Sequence, residues 1–296
     1  MPYTPASPAK RKIAETLASR RVFVYFCAIA MDTLDIPAPP ALRAAAISYE
    51  YPLNERTRTL LRLDDLHRRA AYFTSKQDAF EHHVALITIF DMLEVASRAD
   101  VKADLIQELE RQRQGLEALR NNPAIAEDAL EGVLHDIDGA SARMLAASGK
   151  VGQELRENEW LMGIKQRTAI PGGACAFDLP SYHFWLNQDA ELRRADLKLW
   201  MLPFEPICGA LAIVLRLLRD SGKASQQIAR QGVFQLMLAG KVVQLVRLRL
   251  ARSFTCVPEI SANKYALNVR FIAQGGTERS RVAEQDVPFE LTFCSL

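Results

Sequence analysis

Apolar positions recur at helical intervals through most of the chain and at two-residue intervals near its end. Asn54 stands where a helix N-cap would accept backbone N–H groups, and Leu53, Leu60, Leu61 and Leu66 fall on one side of a helix predicted to reach Phe73. A second predicted helix carries Phe80, Val84, Ile87 and Leu93 at the same spacing. A third begins at Asp100 and carries Val101, Leu105, Leu109, Leu116 and Leu119, and Asn121, Asn122 and Pro123 stop it. A fourth is predicted over 124–147 with Leu130, Leu134 and Ile137 inward, and a fifth over 152–168, broken by Pro171, Gly172 and Gly173. Segment 177–185 reads equally as extended chain or as a short turn, after which 190–200 and 204–219 resume the helical period until Gly222. Apolar runs at 233–238, 242–250, 266–272 and 287–293, separated by glycine and polar clusters, read as strands.

The expected fold class is therefore α+β, an N-terminal α-helical bundle followed by a smaller antiparallel β domain. Its parts are a poorly ordered extension over 1–46, rich in proline, a helical domain over 47–223 and a β domain over 224–296, which segment 174–186 is free to join. A chain of 296 residues has room for a large core and a second unit.

Composition narrows the function classes. Apolar residues make up 49% and charged residues 24%, an ordinary globular balance, and a formal net charge of +2 leaves nucleic-acid or membrane-surface binding dependent on a local basic cluster. Five cysteines, Cys27, Cys175, Cys208, Cys256 and Cys294, contain no C-x-x-C pair and read as reduced, buried thiols of a cytoplasmic protein. The apolar run 22–31 follows Arg20 and Arg21 but is too short to span a bilayer, and 32–40 lacks a small-residue cleavage site.

Catalytic chemistry has no candidate constellation. The chain lacks a phosphate-binding G-x-x-x-x-G-K-[ST] loop, a G-x-S-x-G elbow and an H-E-x-x-H helix. His82 and His83 are adjacent on a predicted helix, so they point about 100° apart and read as exposed or half-buried positions rather than as joint metal ligands. The pairs Asp64/Asp65 and Asp136/Asp138 read as solvated carboxylates. Cys175, with His183 eight residues on, offers a thiol and a base, but a buried apolar thiol is the simpler reading. No enzyme activity, cofactor or metal is expected.

Cations are more informative. Arg58 and Arg62 lie one turn apart on the first predicted helix with Arg69 near the same line, and Arg98, Lys102, Lys264 and Arg270 follow at loops and strand ends. Three segments, Tyr51-Pro-Leu-Asn-Glu-Arg-Thr-Arg-Thr-Leu-Leu-Arg62, Val101-Lys-Ala-Asp-Leu-Ile-Gln-Glu-Leu-Glu-Arg-Gln112 and Ile170-Pro-Gly-Gly-Ala-Cys-Ala-Phe-Asp-Leu-Pro-Ser-Tyr-His-Phe-Trp-Leu186, resemble the ZapD family in order and spacing. The resemblance continues through Pro258-Glu-Ile-Ser261 and 264–271, covering nearly everything after residue 46.

The resemblance implies a cytoplasmic homodimer at the mid-cell division site. Each protomer would bind the C-terminal tail of the tubulin-like protein FtsZ, and the dimer would bundle FtsZ filaments, promoting Z-ring assembly and septum formation. It places Arg58, Arg62, Arg98, His183, Lys264 and Arg270 around the tail-binding site, and implies no nucleic acid and no direct membrane insertion. Guanidinium forks suit the carboxylates of an extended peptide whose apolar residues enter a groove. Glu159 and Ala266 stand where a relative in the family carries arginine, with Arg156, Arg247 and Arg249 as substitutes near them. His183 reads equally as a core histidine packed by Phe184 and Trp185. The competing reading, a nucleic-acid-binding module using the same basic stripe, has against it the near-neutral charge and the scarcity of aromatics among the arginines.

Overall fold

The computed structural model describes residues 46–296 except 99, 121, 123–124, 148, 241, 264 and 275–280, and omits the side chain of Arg98. The extension expected over 1–46 lies outside the described residues apart from Ala46, which opens the first strand. In chain order the elements are β1 (Ala46–Pro52), α1 (Glu55–Thr74), α2 (Ala79–Arg98), α3 (Val101–Glu117), α4 (Glu127–Ala146), α5 (Gln153–Glu157) and α6 (Glu159–Thr168). Then come α7 (Pro180–Leu186), α8 (Ala190–Met201), a 3-10 turn (Leu202–Phe204) and α9 (Glu205–Asp220). The strands β2 (Ala224–Ala229), β3 (Val233–Met237), β4 (Leu245–Ala251), β5 (Cys256–Ala262), β6 (Ala266–Ala273), β7 (Arg281–Val282) and β8 (Val287–Cys294) complete the α+β fold anticipated from the sequence.

The chain divides into two units, one of residues 59–115 and 133–215 and one of 46–58, 116–132 and 216–296. The first is helical and is built on Leu86, Ile89, Phe90, Met92, Leu93, Leu161, Ile164, Tyr182, Trp185, Leu197 and Phe204. Asn54 caps α1 as expected, its Oδ1 accepting from the Thr57 N–H at 2.7 Å. Helix α2 departs from expectation in its rotation. Ala85, Leu86, Ile89, Met92 and Leu93 are buried, whereas Phe80 is 82% exposed and Val84 faces water. The helix is apolar on nearly every side, so spacing alone selects no unique face, and the small Ala85 marks the side of closest packing.

The single helix expected over 152–168 is two helices. Asn158 has an extended backbone between them, and its side chain accepts from Leu161 N–H at 3.0 Å to start α6. Segment 177–185, left open by the sequence, forms α7 with Pro180 in its first turn. The 190–220 stretch is long and apolar enough to cross a membrane by length and composition, yet Leu197, Phe204, Leu211, Leu215 and Leu218 are all buried, as in the core helix of a folded domain.

The second unit is a pair of antiparallel sheets. One has the order β1-β4-β8-β2, and the other β3-β6-β5 with β7 added on β6. Strict alternation drives their packing. Val246, Leu248 and Leu250 of β4, Leu267, Val269 and Phe271 of β6, and Val287, Phe289 and Leu291 of β8 are all buried in one core. Phe289 joins the sheets, its ring 5.2 Å from both Phe234 and Phe271. The strands expected within 233–238, 242–250, 266–272 and 287–293 are present, whereas β1, β2, β5 and the two-residue β7 were not anticipated.

Candidate functional site

Helix α1 presents Arg62, Arg68 and Arg69 to water and leaves Arg58 half-buried, because Leu60, Leu63 and Ala70 bury the opposite side. Arg58 lies 3.4 Å from Glu55, and Arg69 bonds Asp65 at 2.6 Å. Pairs as exposed as these contribute only about 0.2–1 kcal/mol and break readily for a better partner. Arg62 is exposed, and among the described residues no carboxylate pairs with it. Lys102, by contrast, is committed, its Nζ donating to the Ala147 carbonyl at 2.6 Å beyond the end of α4.

His183 sits on α7 and is exposed, which excludes the core-histidine reading. The short helix divides its aromatics. Tyr182 and Trp185 are buried, while Phe184 is 68% exposed beside His183. Asn187 donates to the His183 carbonyl at 2.8 Å and closes the helix, with its amide 3.3 Å from His183 Nε2. In the sheet unit, Arg270 projects from β6 and bonds Glu259 on β5 at 3.0 Å, the two being direct cross-strand partners. Lys264 and the Arg98 side chain lie outside the described residues. The backbone beside Lys264 is fixed by Asn263, whose Oδ1 accepts from the N–H groups of Tyr265 and Ala266 at 2.8 and 2.9 Å.

The expected substitutes for the two missing arginines are all engaged elsewhere. Arg156 donates to the carbonyls of Val151 and Leu93 at 2.7 and 2.9 Å. Arg247 lies 3.2 Å from Glu50, and Arg249 lies 3.4 Å from Glu290. Glu50 also receives both ends of the Arg219 guanidinium, each at 2.9 Å, a bidentate fork that the sequence did not disclose. Glu159 is exposed in the first turn of α6, where a carboxylate favours the helix dipole, and Ala266 is buried at the start of β6.

A polar hub that sequence reading missed lies behind α7. Arg193 is 5% exposed and donates to His82 Nδ1 at 3.0 Å, to the Leu186 carbonyl at 3.0 Å and to the Gln77 carbonyl at 2.7 Å, with a further bond to the Gln188 carbonyl. His82 is fully buried, against the expectation of an exposed or half-buried position, because this hub satisfies both ring nitrogens: Nε2 lies 2.9 Å from the Lys76 carbonyl. Burial lowers the pKa of His82, and the Arg193 and Arg194 charges lower it further. Burial alone lowers that of His83, which meets the Tyr182 hydroxyl at 2.7 Å.

Cys175 is exposed rather than buried, and among the described residues its thiol makes no hydrogen bond with His183. The other described cysteines are buried, with Cys208 pushed up to about 12 by burial first and by Glu205 and Asp64 next. Among the described residues no group of three or more histidines, cysteines or carboxylates is arranged to hold a metal ion.

The profile of the ZapD family, described as a cell division protein, matches residues 61–270. The chain is 61% identical over 250 residues to the cell division protein ZapD of Azoarcus sp. (strain BH72), covering 84% of this chain and 100% of that protein. It is 58% identical over 250 residues to the protein of the same name from Aromatoleum aromaticum, covering 84% of this chain and 98% of the relative. It is 57% identical over 249 residues to that from Chromobacterium violaceum, covering 84% and 99%.

Proposed function

This chain belongs to the ZapD family of cell division proteins, and from that premise we propose that it binds the C-terminal tail of FtsZ and, as a homodimer, bundles FtsZ filaments at mid-cell. Family membership supports a role in division. The observation that carries the finer reading is the cationic side of α1, where exposed Arg62 has no carboxylate partner among the described residues and Arg58 and Arg69 are held only by exposed neighbours. A tail carboxylate can take such groups with little to displace.

Exposed His183 and Phe184 supply, on one short helix, a polar and an apolar contact of the kind an extended peptide needs. Arg98, Lys264 and Arg270 belong to the same proposal by family resemblance, with Arg270 required to exchange Glu259 for the peptide. The role is structural: the protein gathers filaments in the cytoplasm and turns over no substrate, cofactor or nucleic acid.

Co-sedimentation and light scattering of FtsZ with GTP test this. Wild-type protein is expected to pellet with filaments and raise scattering. Arg58→Glu with Arg62→Glu is expected to lower tail affinity at least about tenfold, as like-charge contacts do at interfaces, and FtsZ lacking its tail is expected to give no bundles. Wild-type protein that neither pellets nor bundles would overturn the reading.

A further inference from the structure

The consecutive histidines of α2 grip α7 from two directions. His83 does so directly, through the Tyr182 hydroxyl at 2.7 Å. His82 does so through Arg193, whose guanidinium holds the carbonyls of Leu186 and Gln188 at the C-terminal end of α7 while its Nε bonds His82 Nδ1 at 3.0 Å. The same guanidinium reaches the Gln77 carbonyl at 2.7 Å, so one buried cation ties the α1–α2 connection, the start of α2 and the end of α7 together.

The tautomer follows from the partners. Arginine only donates, so His82 Nδ1 must accept, and the proton must lie on Nε2, which donates to the Lys76 carbonyl at 2.9 Å. A second proton on His82 would aim an N–H at an arginine N–H at a position closed to solvent. The charged groups that face His82 are Arg193 and Arg194 from α8 and Glu81 from its own helix. Two cations against one carboxylate oppose protonation. His83 faces the Tyr182 hydroxyl from α7, and its own burial opposes a charge there.

We propose that His82 and His83, acting through Arg193 and Tyr182, are positioning residues for α7, and that mild acid, by protonating His82 against the donor-only Arg193, frees this helix and the His183–Phe184 surface it carries. The grip on α7 rests on geometry alone; only its consequence for a bound peptide rests on the proposed FtsZ reading.

The molecule contains its own reporter. All three tryptophans of the chain, Trp160, Trp185 and Trp200, share one cluster in which Trp185 of α7 stacks on Tyr182 with centroids 5.7 Å apart. Near-ultraviolet circular dichroism and tryptophan fluorescence therefore read the seating of α7, while far-ultraviolet dichroism reads the remaining helices.

The experiment titrates the full chain from about pH 7.5 to about pH 5, recording both signals together with binding of a fluorescent FtsZ tail peptide. The expected result is a tryptophan transition below the ordinary histidine value of 6.5 with far-ultraviolet signal retained. Peptide affinity is expected to fall in step, by about tenfold per pH unit for each histidine that must shed its proton. The double variant His82→Gln, His83→Gln keeps an uncharged acceptor and donor at every pH, and is expected to lose the transition.

Hydrogen exchange of the wild-type α7 amides across the same range, corrected for intrinsic rates, asks the same question without a variant. The proposal is overturned if the tryptophan signal changes only with global unfolding, if α7 protection does not fall, or if the transition persists in a folded double variant. A tryptophan transition that the variant abolishes, in a protein that binds no tail peptide at any pH, supports the grip and removes the FtsZ reading instead.

Discussion

The buried Arg193 and His82 side chains are satisfied by specific backbone carbonyls and by each other, and that has measurable consequences. Because the folded state holds His82 below its ordinary pKa, the unfolded chain takes up the proton first as pH falls. The stability contributed by the neutral ring is then complete above pH 6.5 and drains away below it. Urea melts of wild type and His82→Gln, whose amide does not titrate, are expected to lie closest at neutral pH and to separate at mildly acid pH, where only wild type loses stability. A second expectation concerns Gly222, where a Cβ would stand 2.6 Å from the Phe293 carbonyl and 2.4 Å from Thr292 Cγ2. Gly222→Ala is expected to cost about 1–3 kcal/mol in urea denaturation, the range for forced overpacking. None of this was legible beforehand, for a definite reason. A sequence shows that Arg193, Arg247 and Arg62 are arginines, not that the first is spent on carbonyls, the second lies against Glu50 and the third is exposed, because those differences arise from contacts between residues distant along the chain.

Helices and strands were legible where the chain repeats a strong apolar signal and opaque where it does not. Strands β4, β6 and β8 are dense in valine, leucine and phenylalanine and stood out, whereas β2 reads Ala-Ser-Gln-Gln-Ile-Ala and β5 carries Pro258. Both of the latter lie at sheet edges, where a weak apolar signal and a proline are tolerated. Strand β1 was hidden by its alanine- and proline-rich approach, although Ile47, Tyr49 and Tyr51 alternate. It pairs with β4 over its full length, from Ala46 opposite Ala251 to Pro52 opposite Leu245, and it delivers Glu50 to Arg219 and Arg247. A truncated chain is therefore expected to fold only if it keeps this strand. One beginning at residue 53 would leave Arg219 and Arg247 without their carboxylate and uncover the edge of β4, and is expected to aggregate or to lose cooperative unfolding, as read by calorimetry and light scattering.

Bundling makes a demand that no single surface meets, since one protomer with one tail site can only decorate a filament. If bundling comes from a homodimer with one tail site per protomer, the response to added protein must be bell-shaped. At low ratios each dimer finds two tails on neighbouring filaments, and the second contact, made at high effective concentration, adds avidity without new chemistry. At excess, every tail is met by a separate dimer, cross-links are diluted out and scattering falls while co-sedimented protein keeps rising. Salt enters through the same arginines: exposed cations such as Arg62 are screened beyond about 8 Å at physiological ionic strength, so bundling should weaken with added salt before folding does. The measurement is right-angle scattering of FtsZ filaments across a wide range of added protein at two salt concentrations, with pelleted protein quantified at each point. A maximum followed by a decline, with binding still increasing, is the signature of a two-site cross-linker. Scattering that climbs to a plateau and stays there would show that filaments are gathered by some other means, such as charge neutralisation along their surface or an assembly larger than a dimer.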